Sequence, residues 1–364
     1  MINSVAIHNF KLFKDVEQKL GHLTLLTGLN GRGKSTFLQS ILTAHFTLKE
    51  GHSEFFLDNE YVKLGCIEDI LPWYLDDLKV GLTLTIDGVP YKLTSKDICA
   101  SWTKEDAIPL ADDESNIKRF VNLPMIQYLA AGRMHSTDIF PTASLAAKRK
   151  SLSIRYGDGM ATARFLYEYG NQPIPLAALS YPGCESLSIL NQANAWLKAI
   201  SPDLNVHVQL LGNNFQLRYS SVNLPGVPNI TANASNVGYG ITYALPLITA
   251  ILSSSSGDVV IIETPEAHIH PAGQARLMDL CALAAANGIQ VILETHSDHI
   301  VNGLLRNVKS DKISREDVKV LFFDKKANED APHIYDLEVT SNGRILAPRK
   351  NFFDQYRIDL RALL

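Results

Sequence analysis

The sequence predicts an α/β fold with a mainly parallel core sheet, an antiparallel side sheet and an inserted lobe of mixed strands and helices. Three observations lead there. A strand, a glycine-rich loop and a helix follow one another within residues 22–46. A buried strand, a helix and a second buried strand follow one another within residues 258–297, as in a right-handed β-α-β crossover. Between them, residues 51–234 carry two hairpin signals and a stretch of helical periodicity.

Composition limits the choices. The chain has 364 residues, 46% hydrophobic and 20% charged, with a net charge of −4. That describes an ordinary globular protein of one large or two small domains. The charge argues against a wholesale nucleic-acid-binding surface and leaves room only for a local basic patch. The basic cluster Lys148–Lys150, with Arg155 and Arg164, reads as a solvated loop. The N-terminus, MINSVAIHNFKLFKD, has no apolar core of signal-peptide length. The run ITYALPLITAIL, residues 241–252, contains Pro246 and is too short to span a bilayer. Cys66, Cys99, Cys184 and Cys281 are scattered without metal-site spacing and read as reduced thiols. The expectation is a cytoplasmic protein with no membrane partner.

At the start, SVAIHNF and DVEQKL read as short strands, and HLTLLT (His22–Thr27) as a third. The third runs into GLNGRGKS, Gly28–Ser35, which has the spacing G-x-x-x-x-G-K-S. TFLQSILTAHF follows with helical periodicity. Strand, loop and helix are the context that a phosphate-binding P-loop requires. Glycines let backbone N–H groups turn inward toward phosphates, and the helix start adds a favourable dipole. Gly28, Asn30, Gly31, Arg32, Gly33 and Thr36 are the expected phosphate-side residues. Lys34 should reach the β- and γ-phosphates, and the Ser35 hydroxyl should bind Mg²⁺.

In the middle, VGLTLTID and VPYKLT alternate around Asp87-Gly88, a hairpin signal. ESLSILNQANAWLKAI reads as a helix with Leu187, Leu190, Trp196, Leu197 and Ile200 near one stripe. LNVHVQLL and FQLRYS flank Gly212-Asn213-Asn214, a second hairpin. No heptad run is long enough for a coiled-coil arm.

Toward the end, DVVIIE (Asp258–Glu263) and IQVILETHS are continuously apolar, as buried parallel strands are. HPAGQARLMDLCALAAANG between them reads as a helix stopped at Gly288. Chemistry in such folds gathers at the carboxyl ends of the strands. Glu263, Glu266, Glu294 and His296 all stand there. A helix, the strands VKVLFFD and HIYDLEV, and a final amphipathic helix in FFDQYRIDLRALL complete the chain.

Together, NFKLFKD, GLNGRGKST, ETPEAHIHP and ETHSDHI resemble the ABC-type ATPases of the SMC/RecF/OLD branch, a group often placed among AAA-family ATPases. NGRILAPRKNFFDQ (Asn342–Gln355) resembles the C-terminus of small bacterial arm-less members. The resemblance covers about residues 1–50 and 230–364, with QYLAAGR (Gln127–Arg133) as an anchor between. It implies one P-loop ABC-type ATPase-head domain over 1–364, with its core in 1–50 and 235–340, its lobe in 51–234 and a cap in 341–364. It implies ATP and Mg²⁺ as cofactors and a head-to-tail homodimer, or a higher oligomer, that sandwiches ATP.

In such dimers a signature loop of one subunit meets the ATP of the other. The family's serine-glycine-glycine turn corresponds here to Gly238-Tyr239-Gly240, within Ser235–Leu247. The resemblance also places Lys11 near the nucleotide and matches His296 to a histidine that senses the γ-phosphate. Within QYLAAGR, Gln127 is a candidate for the lobe-sensing glutamine of ABC proteins, and Arg133 a candidate to contact a phosphate or the partner chain. His268 and His270 fall in a loop at the dimer interface. The pairs His268/His270 and His296/His299 also suggest, more weakly, a zinc or manganese site.

One position departs from the family pattern. Where the family has Asp-Glu-Pro-Glu, this chain has Glu263-Thr264-Pro265-Glu266. Glu263 suits the metal. Thr264 stands at the general-base position, and a hydroxyl cannot deprotonate water at neutral pH. Close relatives commonly carry glutamine there. Glu266 and Glu294 are the two substitute bases, and slow hydrolysis is the expectation because phosphoryl transfer depends mostly on positioning and charge. Asp324 alone does not make a Toprim nuclease, which needs a further acidic cluster. The resemblance suggests an ATP-gated regulator of a co-encoded effector, in a setting such as bacterial anti-phage defence. A RecF-like DNA-binding repair ATPase and a non-hydrolytic scaffold are the alternatives.

Overall fold

A computed structural model describes residues 1–51, 54–72, 79–98, 107–111, 123–133, 139–141, 150–202, 204–221, 231–233, 236–326 and 329–363. Cys99, Lys148, Arg149 and Ser235, singled out above, lie outside the described residues. Two compact units emerge: Met1–Pro124 with Ser314–Leu364, and Met125–Ile313.

Along the chain, β1 (Ile2–Phe10), β2 (Phe13–Lys19) and β3 (Leu23–Gly28) precede α1 (Lys34–Glu50). Then come β4 (Glu54–Phe56), the single turn α2 (Ile67–Ile70), β5 (Gly81–Ile86), β6 (Val89–Thr94) and β7 (Ala107–Pro109). The second unit contains β8 (Ile126–Leu129), β9 (Ile139–Pro141), α3 (Thr162–Tyr169), α4 (Ile189–Ile200), β10 (Leu204–Leu211), β11 (Asn214–Ser221) and β12 (Thr231–Asn233). It continues with α5 (Tyr239–Ser253), β13 (Val259–Glu263), α6 (Pro271–Ala286), β14 (Gln290–Glu294) and α7 (Asp298–Lys309). The chain returns to the first unit with β15 (Val318–Asp324), β16 (His333–Leu337) and α8 (Gln355–Leu363).

The first unit holds an antiparallel side sheet in the order β2-β1-β5-β6. Asp87 and Gly88 close its β5–β6 hairpin with φ of 49° and 81°, the left-handed pair that a two-residue turn of this hand needs. In the same unit, β3 pairs in parallel with β15, and β15 pairs antiparallel with β16. α1 packs against β1, β3 and β5. Phe323 on β15 joins these layers, with the Phe13 ring 6.4 Å and the Phe37 ring 5.8 Å away. The final helix α8 forms as expected and leaves Ile358, Leu360 and Leu363 exposed.

The second unit carries the expected β-α-β crossover. β13 and β14 pair in parallel, in register from Val259↔Gln290 to Glu263↔Glu294. All five residues of each strand are buried, which explains their unbroken apolar run. The short strand β8 flanks β13 in parallel, although it lies within the stretch read as an inserted lobe.

Two local expectations are corrected here. In the second hairpin the turn is Gly212-Asn213 alone, and Asn214 already pairs with Leu211. In α4 the buried stripe is Ile189, Gln192, Ala193, Trp196 and Leu197 rather than one through Leu187. Ser188 caps the helix, its Oγ accepting from the Asn191 N–H at 3.3 Å, so Leu187 stands outside the helix and is exposed. No helix among the described residues is long and apolar enough to cross a membrane.

Candidate functional site

The glycine-rich loop of the first unit leaves β3 at Gly28 and enters α1 at Lys34. Gly33 has φ of 95°, and a Cβ there would stand 2.6 Å from the Phe13 ring, so only glycine fits. Leu29, Asn30 and Gly31 are exposed, Arg32 is half-buried and Lys34 is buried. The Lys34 ammonium folds back over the loop and donates to the carbonyls of Gly28 and Leu29, each at 2.9 Å. That places a cation over the glycine-rich loop at a helix start, an arrangement that suits an anionic phosphate chain. Ser35 and Thr36 open α1, with Thr36 nearly buried. The Arg32 Nε is buried without a hydrogen-bond partner.

Lys11 closes the β1–β2 turn with φ of 54°. Its Nζ donates to Gln39 Oε1 at 2.9 Å. Burial lowers its pKa, and the Asp69 charge partly opposes that shift. Lys11, Thr36, Asp69, Lys325 and Asp330 line a cavity of about 480 Å³ in the first unit. Lys11 thus shares this cavity with Thr36 at the start of α1. A roomier cleft of about 820 Å³ lies in the second unit between residues 181–186, α4 and the start of β10. It contains none of the candidate nucleotide, metal or catalytic residues.

The acid-tipped strands of the second unit end in a dense polar corner. Glu263 is 9% exposed, and both its oxygens are held. Tyr128 on β8 donates its hydroxyl to Oε1 at 2.8 Å, and the Ala131 N–H donates to Oε2 at 3.3 Å. Burial, then the charges of Glu263 and Glu294, push the Tyr128 phenol far above its usual range, so it remains a donor. Glu294, 6% exposed, is the in-register neighbour of Glu263. Glu266 accepts the Thr295 hydroxyl at 2.8 Å on one oxygen and the His296 N–H at 2.7 Å on the other. His296 is exposed.

Between Glu263 and Glu266 the backbone turns sharply. Thr264 has φ of 42°, a left-handed conformation that a β-branched residue rarely adopts, at a cost of roughly 1–3 kcal/mol. Its N–H donates to Glu294 O at 2.8 Å. Its carbonyl accepts from Arg133 Nη2 at 2.9 Å, and the Glu263 carbonyl accepts from Nη1 at 2.6 Å. Arg133 therefore does not reach outward to a phosphate or a partner chain, as its place in QYLAAGR suggested. It is 0% exposed and committed to backbone carbonyls. Burial lowers its pKa to about 10, which leaves it cationic at neutral pH. The Gln127 amide is similarly engaged inside the unit, donating to Lys150 O at 3.0 Å and accepting from the Leu152 N–H at 3.3 Å.

Gly238 caps α5, and Tyr239 and Gly240 are its first two residues, so the glycines straddle the helix start rather than precede it. A Cβ on Gly240 would stand 2.3 Å from the His268 carbonyl, which is why glycine is required there. Tyr239, 55% exposed, meets the His268 ring at 5.7 Å, and Tyr243 meets it edge-on at 4.8 Å. His270 caps α6, its Nδ1 accepting from the Ala272 N–H at 3.3 Å. His299 lies in the first turn of α7, which Ser297 caps. No group of three or more histidine, cysteine or acidic residues among the described residues is placed to hold a metal ion. The zinc or manganese reading of the histidine pairs is dropped for that reason.

Sequence reasoning missed Tyr128, Ala131 and Thr295 and mistook the direction of Arg133. The signal for the first two was the tail of QYLAAGR beside an acid-tipped strand, but nothing local says that these distant segments pair.

Comparison with known proteins places this geometry. Residues 206–302 match a family model for an AAA domain whose description names the AbiEii toxin and the Type IV TA system. Residues 313–363 match a model described as a protein of unknown function, DUF3696. The chain is similar to the Smc head domain with an extended coiled coil bound to the C-terminal domain of ScpA, derived from Pyrococcus furiosus. That match has a TM-score of 0.54 and 11% identity, and covers 100% of this chain and 99% of the other. It is also similar to the SmcHead bound to the C-winged helix domain of ScpA, at a TM-score of 0.51 and 12% identity over 93% and 97% of the two chains. No curated protein matches the chain. The chain has the P-loop, ABC-type ATPase-head fold that its motifs implied.

Proposed function

We propose that this chain, on its P-loop ATPase-head fold, binds ATP with Mg²⁺, hydrolyses it slowly, and closes as a head-to-tail homodimer that gates a co-encoded effector protein. The nucleotide part rests on one observation above all: Lys34 is held within the glycine-rich loop at the start of α1. In this reading Gly28, Asn30, Gly31, Arg32, Gly33 and Thr36 surround the phosphates, and Lys34 neutralises the β- and γ-phosphates. Ser35 and Glu263 are the Mg²⁺ residues, Glu263 being held ready by Tyr128. Magnesium would supply charge stabilisation at the transferred phosphoryl group.

Glu294 is the favoured base and Glu266 the residue that orients His296, because both Glu266 oxygens already serve the loop after β14. Lys11 faces the nucleotide from the side sheet, and the turn Gly238–Gly240 serves the nucleotide of the second subunit. Partner control is supported by precedent on this fold, since the Smc heads above are bound to domains of ScpA. The description of the family matched by residues 206–302 supports a defence setting.

Thr264 favours a second reading, an ATP-dependent scaffold without turnover, because it stands where the general base is expected. ATP turnover by the purified chain with Mg²⁺, beside equilibrium ATP binding, separates the two. Slow turnover that needs Mg²⁺ supports the hydrolytic reading. Tight binding with no phosphate release, with or without the neighbouring gene product, leaves the scaffold. No binding at all removes both.

A further inference from the structure

The corner at the end of β13 contains a side chain for which the proposed reaction has no use. Arg133 is fully buried, yet its hydrogen bonds among the described residues all end on backbone carbonyls: Ala130 at 3.0 Å, Glu263 at 2.6 Å and Thr264 at 2.9 Å. Its Nε has no hydrogen-bond partner among the described residues. A buried guanidinium without a carboxylate hydrogen-bonded to it is an uncommon arrangement. The Tyr243 ring covers it, 5.1 Å from the guanidinium carbon.

The carbonyls it holds are those on either side of the left-handed turn at Thr264. A β-branched residue does not stay at φ of 42° unless its surroundings impose it. The Thr264 N–H is held by Glu294 O at 2.8 Å, so only its carbonyl side needs a further restraint. A planar fork with two parallel N–H groups suits two neighbouring carbonyls, and an ammonium does not reproduce it.

We propose that Arg133 is a positioning residue: its guanidinium locks Thr264 in the left-handed corner and, through Tyr243, ties that corner to the start of α5. Tyr243 meets His268 at 4.8 Å, and His268 meets Tyr239 at 5.7 Å. The contacts Arg133–Tyr243–His268–Tyr239 thus run from the position of the missing base to the glycine turn that opens α5. The consequence for catalysis rests on the proposed nucleotide reading. There, the corner belonging to one ATP and the turn belonging to the other move as one piece of the second unit.

The test compares the full-length chain with Arg133→Lys and with the double variant Arg133→Lys/Thr264→Asn. Asparagine tolerates the left-handed region, so it removes the need for the lock. Without nucleotide, Arg133→Lys is expected to raise amide hydrogen exchange across residues 263–269 by ~10-fold or more, with the interior of α6 unchanged. The double variant recovers at least half of that protection on a logarithmic scale. With ATP, Arg133→Lys lowers kcat by ~10-fold while KM stays within ~3-fold.

Unchanged exchange at 263–269, or an equal rise throughout the second unit, overturns the proposal. So does a loosened corner with kcat intact in a chain whose wild type turns over ATP. If the wild type neither binds nor hydrolyses ATP, the nucleotide reading fails separately, and the exchange comparison alone decides the role of Arg133.

Discussion

The Glu266 carboxylate accepts the backbone N–H of His296 at 2.7 Å, while its second oxygen accepts the Thr295 hydroxyl at 2.8 Å. It is a clamp between the loop after β13 and the loop after β14. Glu294, one strand over, is the in-register neighbour of Glu263. The two carboxylates should therefore fail differently. Glu294→Gln is expected to lower kcat by ~10²-fold or more with ATP affinity nearly unchanged. Glu266→Gln turns an amide donor toward one of two donors, so it should cost roughly 1–3 kcal/mol of stability along with activity. Turnover and thermal unfolding of the two variants check this, and the reverse pattern would exchange their roles.

Lys34→Ala removes the cation from the glycine-rich loop and leaves the loop backbone in place. ATP affinity should fall by ~10-fold or more, since hydrogen bonds to charged groups contribute about 1.5–3 kcal/mol. Isothermal titration with Mg²⁺–ATP measures it. Equal affinity in the variant would mean that nucleotide binds elsewhere or not through its phosphates.

Tyr128→Phe keeps the ring on β8 and removes the hydroxyl that holds Glu263. A buried carboxylate loses one of its two donors, which should cost roughly 1–3 kcal/mol in urea unfolding. Mg²⁺ needed for half-maximal turnover should rise by ~10-fold, the usual scale for a residue that orients a metal ligand. A stability loss with unchanged Mg²⁺ dependence would limit Tyr128 to a structural part.

His45 makes stability depend on pH. It is buried on α1, its Nε2 donating to Pro124 O at 2.9 Å and its Nδ1 without a partner. Burial, opposed in part by that hydrogen bond, brings its pKa from 6.5 down to about 4. Below about 6.5 the unfolded chain takes up a proton that the folded unit does not take up until near 4. The stability is thus fully present above about pH 6.5 and is lost as pH falls, by up to roughly 3 kcal/mol at pH 4. Urea midpoints at pH 7.5 and 5.5 should differ in the wild type and converge in His45→Phe.

Elements whose local physics is self-contained were legible in the order of residues. GLNGRGKS after an apolar strand announced a tight loop between strand and helix, because its glycine spacing serves φ and close approach, as at Gly33 beside Phe13. The unbroken runs VVIIE and QVILE announced strands buried on both faces, and a helix of the right length between them made the parallel pairing nearly obligatory. The Asp87-Gly88 hairpin was legible for the same local reason. The partners of the polar residues emerged only once distant segments had packed together. Nothing near Arg133 in sequence says that its guanidinium turns inward to carbonyls 130 residues away, or that Tyr128 meets Glu263 across 135. A four-residue strand such as β8 has too little periodicity to reveal its neighbour. The clamp made by the Glu266 carboxylate depended on loops that meet only after the parallel sheet has formed, since hydrogen-bond partners follow from register and not from composition.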